Sequence, residues 1–219
     1  KEKKDLSSKS IKDLLSKVKT NCTTKFDESI DLNLQINNKQ KKGEVNIRTV
    51  VNMPSGTGKK IIVAVLCDEA LKASAKKAGA DIVGGDDLIE KIKAEEINFE
   101  KLICTPKMMI ALSKLGKILG PKGLMPNPKL GTVTENIEEA VKNAKSGQVE
   151  VRNDKDGNIG LAIGKKSFSD DNLIKNFNAV LETLEKEKSN NTVKGNLIKS
   201  SFITSSMGVS YKLKLEKSI

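Results

Sequence analysis

The hydrophobic periodicity of this chain changes twice, and that constrains its fold more than any single motif does. From Phe26 the pattern has period two: Ile30, Leu32, Leu34 and Ile36 alternate with Ser29, Asp31, Asn33 and Gln35. Such alternation describes a half-buried strand. Ahead of it Ile11, Leu14, Leu15 and Val18 fall at i, i+3, i+4 and i+7, the apolar face of a short amphipathic helix. A second strand is expected over 45–53, after the polar, lysine-rich stretch 37–44, paired antiparallel with the first.

After PSGTGKK (Pro54 to Lys60) the pattern alters. Ile61 to Leu66 is a continuous apolar run. Helical stretches follow over 69–78, 86–92, 107–119 and 135–144, with short strands at 80–83 and 102–104. Strands buried on both faces and alternating with helices build a parallel sheet. Beyond residue 149 the alternation returns, with strands at 149–152 and 159–163, a long helix over 170–188, and a strand pair at 197–204 and 209–215. The expected fold class is α/β with two domains. Residues 1–60 and 151–219 form a discontinuous α+β domain with antiparallel strands, and 61–150 form an inserted Rossmann-like parallel α/β domain. Two chain crossings permit hinge motion between them.

Charge follows the same division. The 219 residues carry 39 Lys+Arg against 28 Asp+Glu, a net +11. Residues 63–150 hold as many basic as acidic side chains, so the excess lies in the flanks. A basic surface of this kind suits a polyanion. Aromatic residues are only 3%, which leaves little for base stacking and favours readout of RNA shape.

Several chemistries are excluded. With no histidine there is no Ser-His-Asp triad and no imidazole metal site. Cys22, Cys67 and Cys104 are widely spaced and read as reduced core thiols. PSGTGKK fails the phosphate-loop template at both ends; it precedes a strand and reads as a flexible link between domains. No Gly-x-Gly-x-x-Gly follows the first strand of the middle domain, where Asp68 and Glu69 would repel a pyrophosphate. No enzyme activity and no cofactor are expected. No apolar run approaches the roughly 18 residues of a membrane span, and the first residues lack the apolar core of a secretory signal, so no membrane partner is expected.

One stretch of the middle domain is one-signed. Lys101 to Thr134 contains Lys101, Lys107, Lys114, Lys117, Lys122 and Lys129 and no acid. Within it LGPKGLMPNPKLGT combines glycines, which allow close backbone approach, with prolines, which fix the loop. Backbone amides and lysines there can meet phosphates. Near the end, Ser205, Ser206, Met207 and Gly208 close a strand with small hydroxyls and a glycine, suited to a ribose edge.

Taken together, TKFDESIDL, GTGK, AGADIVGGDDLIEKI, TPKMM, LGPKGLMPNPKLGTVT, GKKSF and SSMG resemble, in order from about residue 10 to the end, the universal ribosomal protein one family in its bacterial type. The family belongs to the mobile rRNA stalk of the large subunit, beside the tRNA exit site. The resemblance implies binding to a structured rRNA junction, chiefly through Lys25, Phe26, Glu28, Lys165, Ser167, Ser206, Met207 and Gly208. It implies a weaker RNA contact through Lys117, Lys122, Gly123, Asn127 and Lys129. It further implies help in releasing exit-site tRNA, repression of translation through the chain's own mRNA, and a monomer within the ribosome of the bacterial cytoplasm or of an organelle. The chain departs from the family pattern at Ser206, where threonine is usual, at Arg48-Thr49, and over 38–46. Its basic residues are nearly all lysine, only Arg48 and Arg152 being arginine. Lysine meets phosphate as a point charge, so strongly salt-dependent binding is expected.

Overall fold

The computed structural model describes residues 11–37, 39–40, 43–44, 46–190 and 195–214. The first residues, much of the departing segment 38–46 and position 215 lie outside them. The chain forms two compact units, one running up to Gly58 and resuming at Val149, the other spanning Lys59–Gln148.

The first unit opens with α1 (Ile11–Thr20), which buries Leu14, Leu15 and Val18 on the side where it meets the helix Asp170–Asn190 and the strands Ile198–Ser205 and Tyr211–Leu213 of the same unit. Burying each such side chain contributes about 1.5–3 kcal/mol. Next comes β1 (Ser29–Ile36), whose even-numbered side chains Ile30, Leu32, Leu34 and Ile36 are buried. The two-residue strands β2 (Lys39–Gln40) and β3 (Gly43–Glu44) pair with each other, and β4 (Arg48–Asn52) follows.

The second unit alternates β5 (Val63–Leu66), α2 (Glu69–Lys77), β6 (Ile82–Gly84), α3 (Asp86–Lys93), β7 (Lys101–Cys104), α4 (Pro106–Ser113), α5 (Gly116–Leu119), a 3-10 turn (Pro128–Leu130) and α6 (Ile137–Lys145). Its three strands are parallel in the order β6-β5-β7. Side chains of β5 and β7 alternate between two cores. Ala64, Leu66, Leu102 and Cys104 pack with the side of α3, α4 and α5, while Val63, Val65 and Ile103 pack with Ala75 of α2 and with α6. Burial on both faces explains the unbroken apolar run. Where one helix was expected over 107–119 there are two. Leu115 leaves helical geometry at φ −95°, ψ 8°, and Gly116 beside it costs helix propensity.

The chain then completes the first unit with β8 (Gln148–Arg152), β9 (Asn158–Lys165), α7 (Asp170–Asn190), β10 (Ile198–Ser205) and β11 (Tyr211–Leu213). The main sheet has the order β11-β10-β1-β9, all antiparallel. The expected pairing of the first strand with the second is therefore incorrect. β1 lies between β9 and β10, and β4 pairs with β8 instead. Alternation fixes which face of a strand is buried but not its partner; β9 and β10 each match β1 at eight residues, whereas β4 has five. The strand pair at the end of the chain forms as expected. No helix among the described residues is long and apolar enough to cross a membrane.

Candidate nucleic-acid interface

The register of the main sheet brings three distant segments to one end. β9 and β10 both run antiparallel to β1, so the segment entering β1 meets those leaving β9 and β10. Ser29 pairs with Lys165 and Ile30 with Ser205. All eight residues of the principal set, Lys25, Phe26, Glu28, Lys165, Ser167, Ser206, Met207 and Gly208, lie on these segments.

Backbone and side-chain hydrogen bonds lock the segments together. Ser206 N donates to Ser29 O at 3.1 Å, and Ser29 N donates to Ser206 Oγ at 3.1 Å. Lys166 N donates to Glu28 O at 2.8 Å. Asp27 receives both the amide of Ser167, at 3.1 Å, and its hydroxyl, at 2.8 Å. Lys165 Nζ reaches Ser29 Oγ at 2.9 Å, and Lys166 Nζ reaches Cys22 O at 2.9 Å. With its proton directed at Asp27, the Ser167 hydroxyl presents lone pairs outward and can accept from a ribose or an amino group.

Glu28 sits inside this arrangement, 1% exposed. Its carboxylate accepts from Thr24 Oγ1 at 2.7 Å and from Met207 N at 3.1 Å. The Thr24 hydroxyl above all, with the Met207 amide adding to it, holds its pKa down from 4.5 to about 2 against the opposing effect of burial. Ser205 Oγ is buried without a partner at hydrogen-bonding geometry, though it lies near enough to help keep the carboxylate charged. Glu28 thus faces its own chain and sets the backbone of Met207. Its neighbours face outward: Phe26 is 55% and Met207 73% exposed, with Lys25, Ser167 and Ser206 also exposed. Two large apolar side chains standing in solvent among lysines and hydroxyls make a surface with shape and not merely charge.

The depressed pKa has a consequence for acid stability. A carboxyl whose pKa is lower in the folded state stabilises the fold at pH above the unfolded value and loses that contribution as pH falls through the folded one. The window here runs from 4.5 down to about 2. The chain has one tyrosine and no tryptophan, so Tyr211 fluorescence reports unfolding of this unit. Urea midpoints measured across that window should fall more steeply for the native chain than for Glu28→Gln. Parallel curves would remove Glu28 from this role.

In the second unit Lys117, on α5, and Lys122 and Lys129 are exposed. Gly123 turns at φ +69°, a conformation that favours glycine, and nothing lies within 4 Å of a Cβ built there. Asn127 serves the loop itself: its Oδ1 accepts from Lys129 N at 2.9 Å, its N donates to Thr132 Oγ1 at 2.8 Å, and Thr132 Oγ1 donates back to Asn127 O at 3.1 Å. These bonds brace the turn from Asn127 to Thr132 that carries Lys129. Among the described residues no cluster of His, Cys, Asp and Glu suits a metal ion.

Thr24, Asp27 and Ser29 also support this surface, and the sequence alone did not single them out as site residues. Asp27 and Ser29 meet partners 140 and 177 positions away in the chain, so no local signal marks them.

Residues 18–209 match the model of the ribosomal protein L1p/L10e family. The chain is 72% identical over 216 residues to the large ribosomal subunit protein uL1 of Pelagibacter ubique, covering 99% of this chain and 94% of that one. It is 46% identical over 201 residues to the protein of the same description from Rickettsia africae, covering 92% and 84%, and 47% identical over 201 residues to that of Rickettsia prowazekii. The chain therefore belongs to the ribosomal protein L1p/L10e family in its bacterial type, a family of ribosomal proteins and not of enzymes.

Proposed function

We propose that this chain is a structural constituent of the large ribosomal subunit in the bacterial cytoplasm, where it binds the rRNA stalk beside the tRNA exit site. The observation that carries this reading is the convergence of the entry to β1 with the exits of β9 and β10. It gathers Lys25, Phe26, Lys165, Ser167, Ser206, Met207 and Gly208 on one surface, with Glu28 as the internal support. Asp27 and Glu28 are occupied by donors of their own chain. Their presence argues against a generic polyanion surface and for recognition of one folded RNA shape. Lys117 on α5 and the loop beyond it, with Lys122, Gly123, Asn127 and Lys129, supply a weaker, charge-driven contact with the stalk.

From that position the protein assists release of deacylated tRNA, and a segment of its own mRNA that imitates the rRNA site competes for the same surface and represses translation. It acts without chemistry. Incubated with bacterial large subunits stripped of their native copy, the labelled chain should co-sediment at one copy per subunit and be displaced by excess folded stalk RNA. Failure to co-sediment would contradict the reading.

A further inference from the structure

The loop Pro54–Gly58, part of the stretch expected as a flexible link between domains, is held by a buried side chain. Asn176 of α7 has no exposed surface. Its Oδ1 accepts from Ser55 N at 3.0 Å, and its Nδ2 donates to Gly56 O at 2.9 Å and to Ile163 O at 2.7 Å. Gly56 and Gly58 both adopt left-handed geometry, at φ +70° and +73°. A Cβ built on Gly58 would lie 2.8 Å from Lys165 Cγ and 3.0 Å from the Phe168 ring. The loop therefore packs directly against the segment that leaves β9 at the RNA-facing end.

Beyond Ser55, whose amide meets Asn176, and Gly56, whose amide donates to Met53 O at 2.9 Å, the loop's donors are not used internally. The amides of Thr57 and Gly58 and the Thr57 hydroxyl donate to no acceptor among the described residues, and no acid occurs between Met53 and Lys60. Amides displayed around left-handed residues form concavities that favour anions. The segment lacks the helix that would follow a nucleotide phosphate loop, so a mononucleotide is not the occupant its surroundings suggest. The adjoining surface is the one assigned to RNA.

We infer that the Thr57 and Gly58 amides, with the Thr57 hydroxyl, receive a backbone phosphate of the bound rRNA and so extend the interface from three segments to four. This rests on the RNA reading of the neighbouring strand ends. Such a contact fixes register on the RNA and does not itself read sequence.

The test uses the full chain and a folded stalk-rRNA fragment, with Thr57→Asp, Thr57→Asn and, as reference, Met207→Ala. Thr57→Asp places a carboxylate beside the free amides and should weaken binding roughly tenfold, while Thr57→Asn should stay within about threefold. The deficit of Thr57→Asp should persist as salt is raised from about 0.1 M, where the screening length is roughly 10 Å. In the native chain the amide resonances of Thr57 and Gly58 should shift on RNA binding. Native affinity in Thr57→Asp, a deficit that fades with screening, or unmoved amide resonances would each overturn the inference. If Met207→Ala is impaired while Thr57→Asp is not, the loop contact alone fails. If both bind as the native chain does, the RNA reading of the strand ends fails first.

Discussion

Gly208→Ala should weaken binding to the folded stalk RNA by at least about tenfold, and Ser205→Ala in the same chain should restore most of the affinity. A Cβ at position 208 would lie 2.2 Å from Ser205 Oγ, far inside van der Waals distance. Ser205 is enclosed, at 3% exposure, so rather than its hydroxyl turning away, the turn that Gly208 N closes by donating to Ser205 O at 3.2 Å is expected to open. With it would go the donation from Met207 N to Glu28, and Ser206 and Met207 would leave the surface they share with Phe26. Removing Ser205 Oγ removes the obstruction, since the next atom, Ser205 Cβ, lies at an ordinary 3.5 Å. Ser205→Ala alone should bind normally, because its hydroxyl has no partner at hydrogen-bonding geometry and Glu28 keeps its donors Thr24 Oγ1 and Met207 N, so the deletion costs little. A tenfold weakening corresponds to about 1.4 kcal/mol, the size of the penalty for disrupting a single specific interaction with a nucleic acid. Filter binding beside circular dichroism separates loss of affinity from loss of fold. Normal binding by Gly208→Ala, or no recovery in the double variant, would contradict this account of the turn.

The parts of the structure that depend on local pattern were legible in the sequence. Ile11, Leu14, Leu15 and Val18 share a helical face, the even positions of β1 are buried, and the apolar run Val63–Leu66 is a strand covered on both sides. What failed was partner choice. The strand at Arg48–Asn52 follows β1 in the chain, yet β9 and β10 flank β1 with longer registers. The break at Leu115 was also missed, because the apolar spacing continues across Gly116 while the backbone does not.

The site divides in the same way. Family motifs pointed to Lys25, Phe26, Glu28, Lys165, Ser167, Ser206, Met207 and Gly208, but not to the way the chain holds them. Glu28 resembles a surface carboxylate in the sequence. Only the fold shows it enclosed by Thr24 and Met207, where it shapes the backbone that Met207 projects from. The glycines of PSGTGKK invited comparison with a phosphate loop and failed its template. Their use became visible only when Asn176, 121 positions beyond Ser55, proved to hold the loop against Lys165 and Phe168.

Charge alone would let this protein bind any polyanion, and the central claim is that it does more. The direct measurement is a salt titration of binding to a folded stalk-rRNA fragment beside an unstructured RNA of equal length. The expected result is a preference for the folded fragment of about 10³-fold or more, as specific recognition gives, together with affinity that falls steeply and linearly in log salt. Equal, weak binding to both RNAs would mean that the net +11 is a generic attraction, and that the surface built from Phe26, Ser206 and Met207 does not read RNA shape.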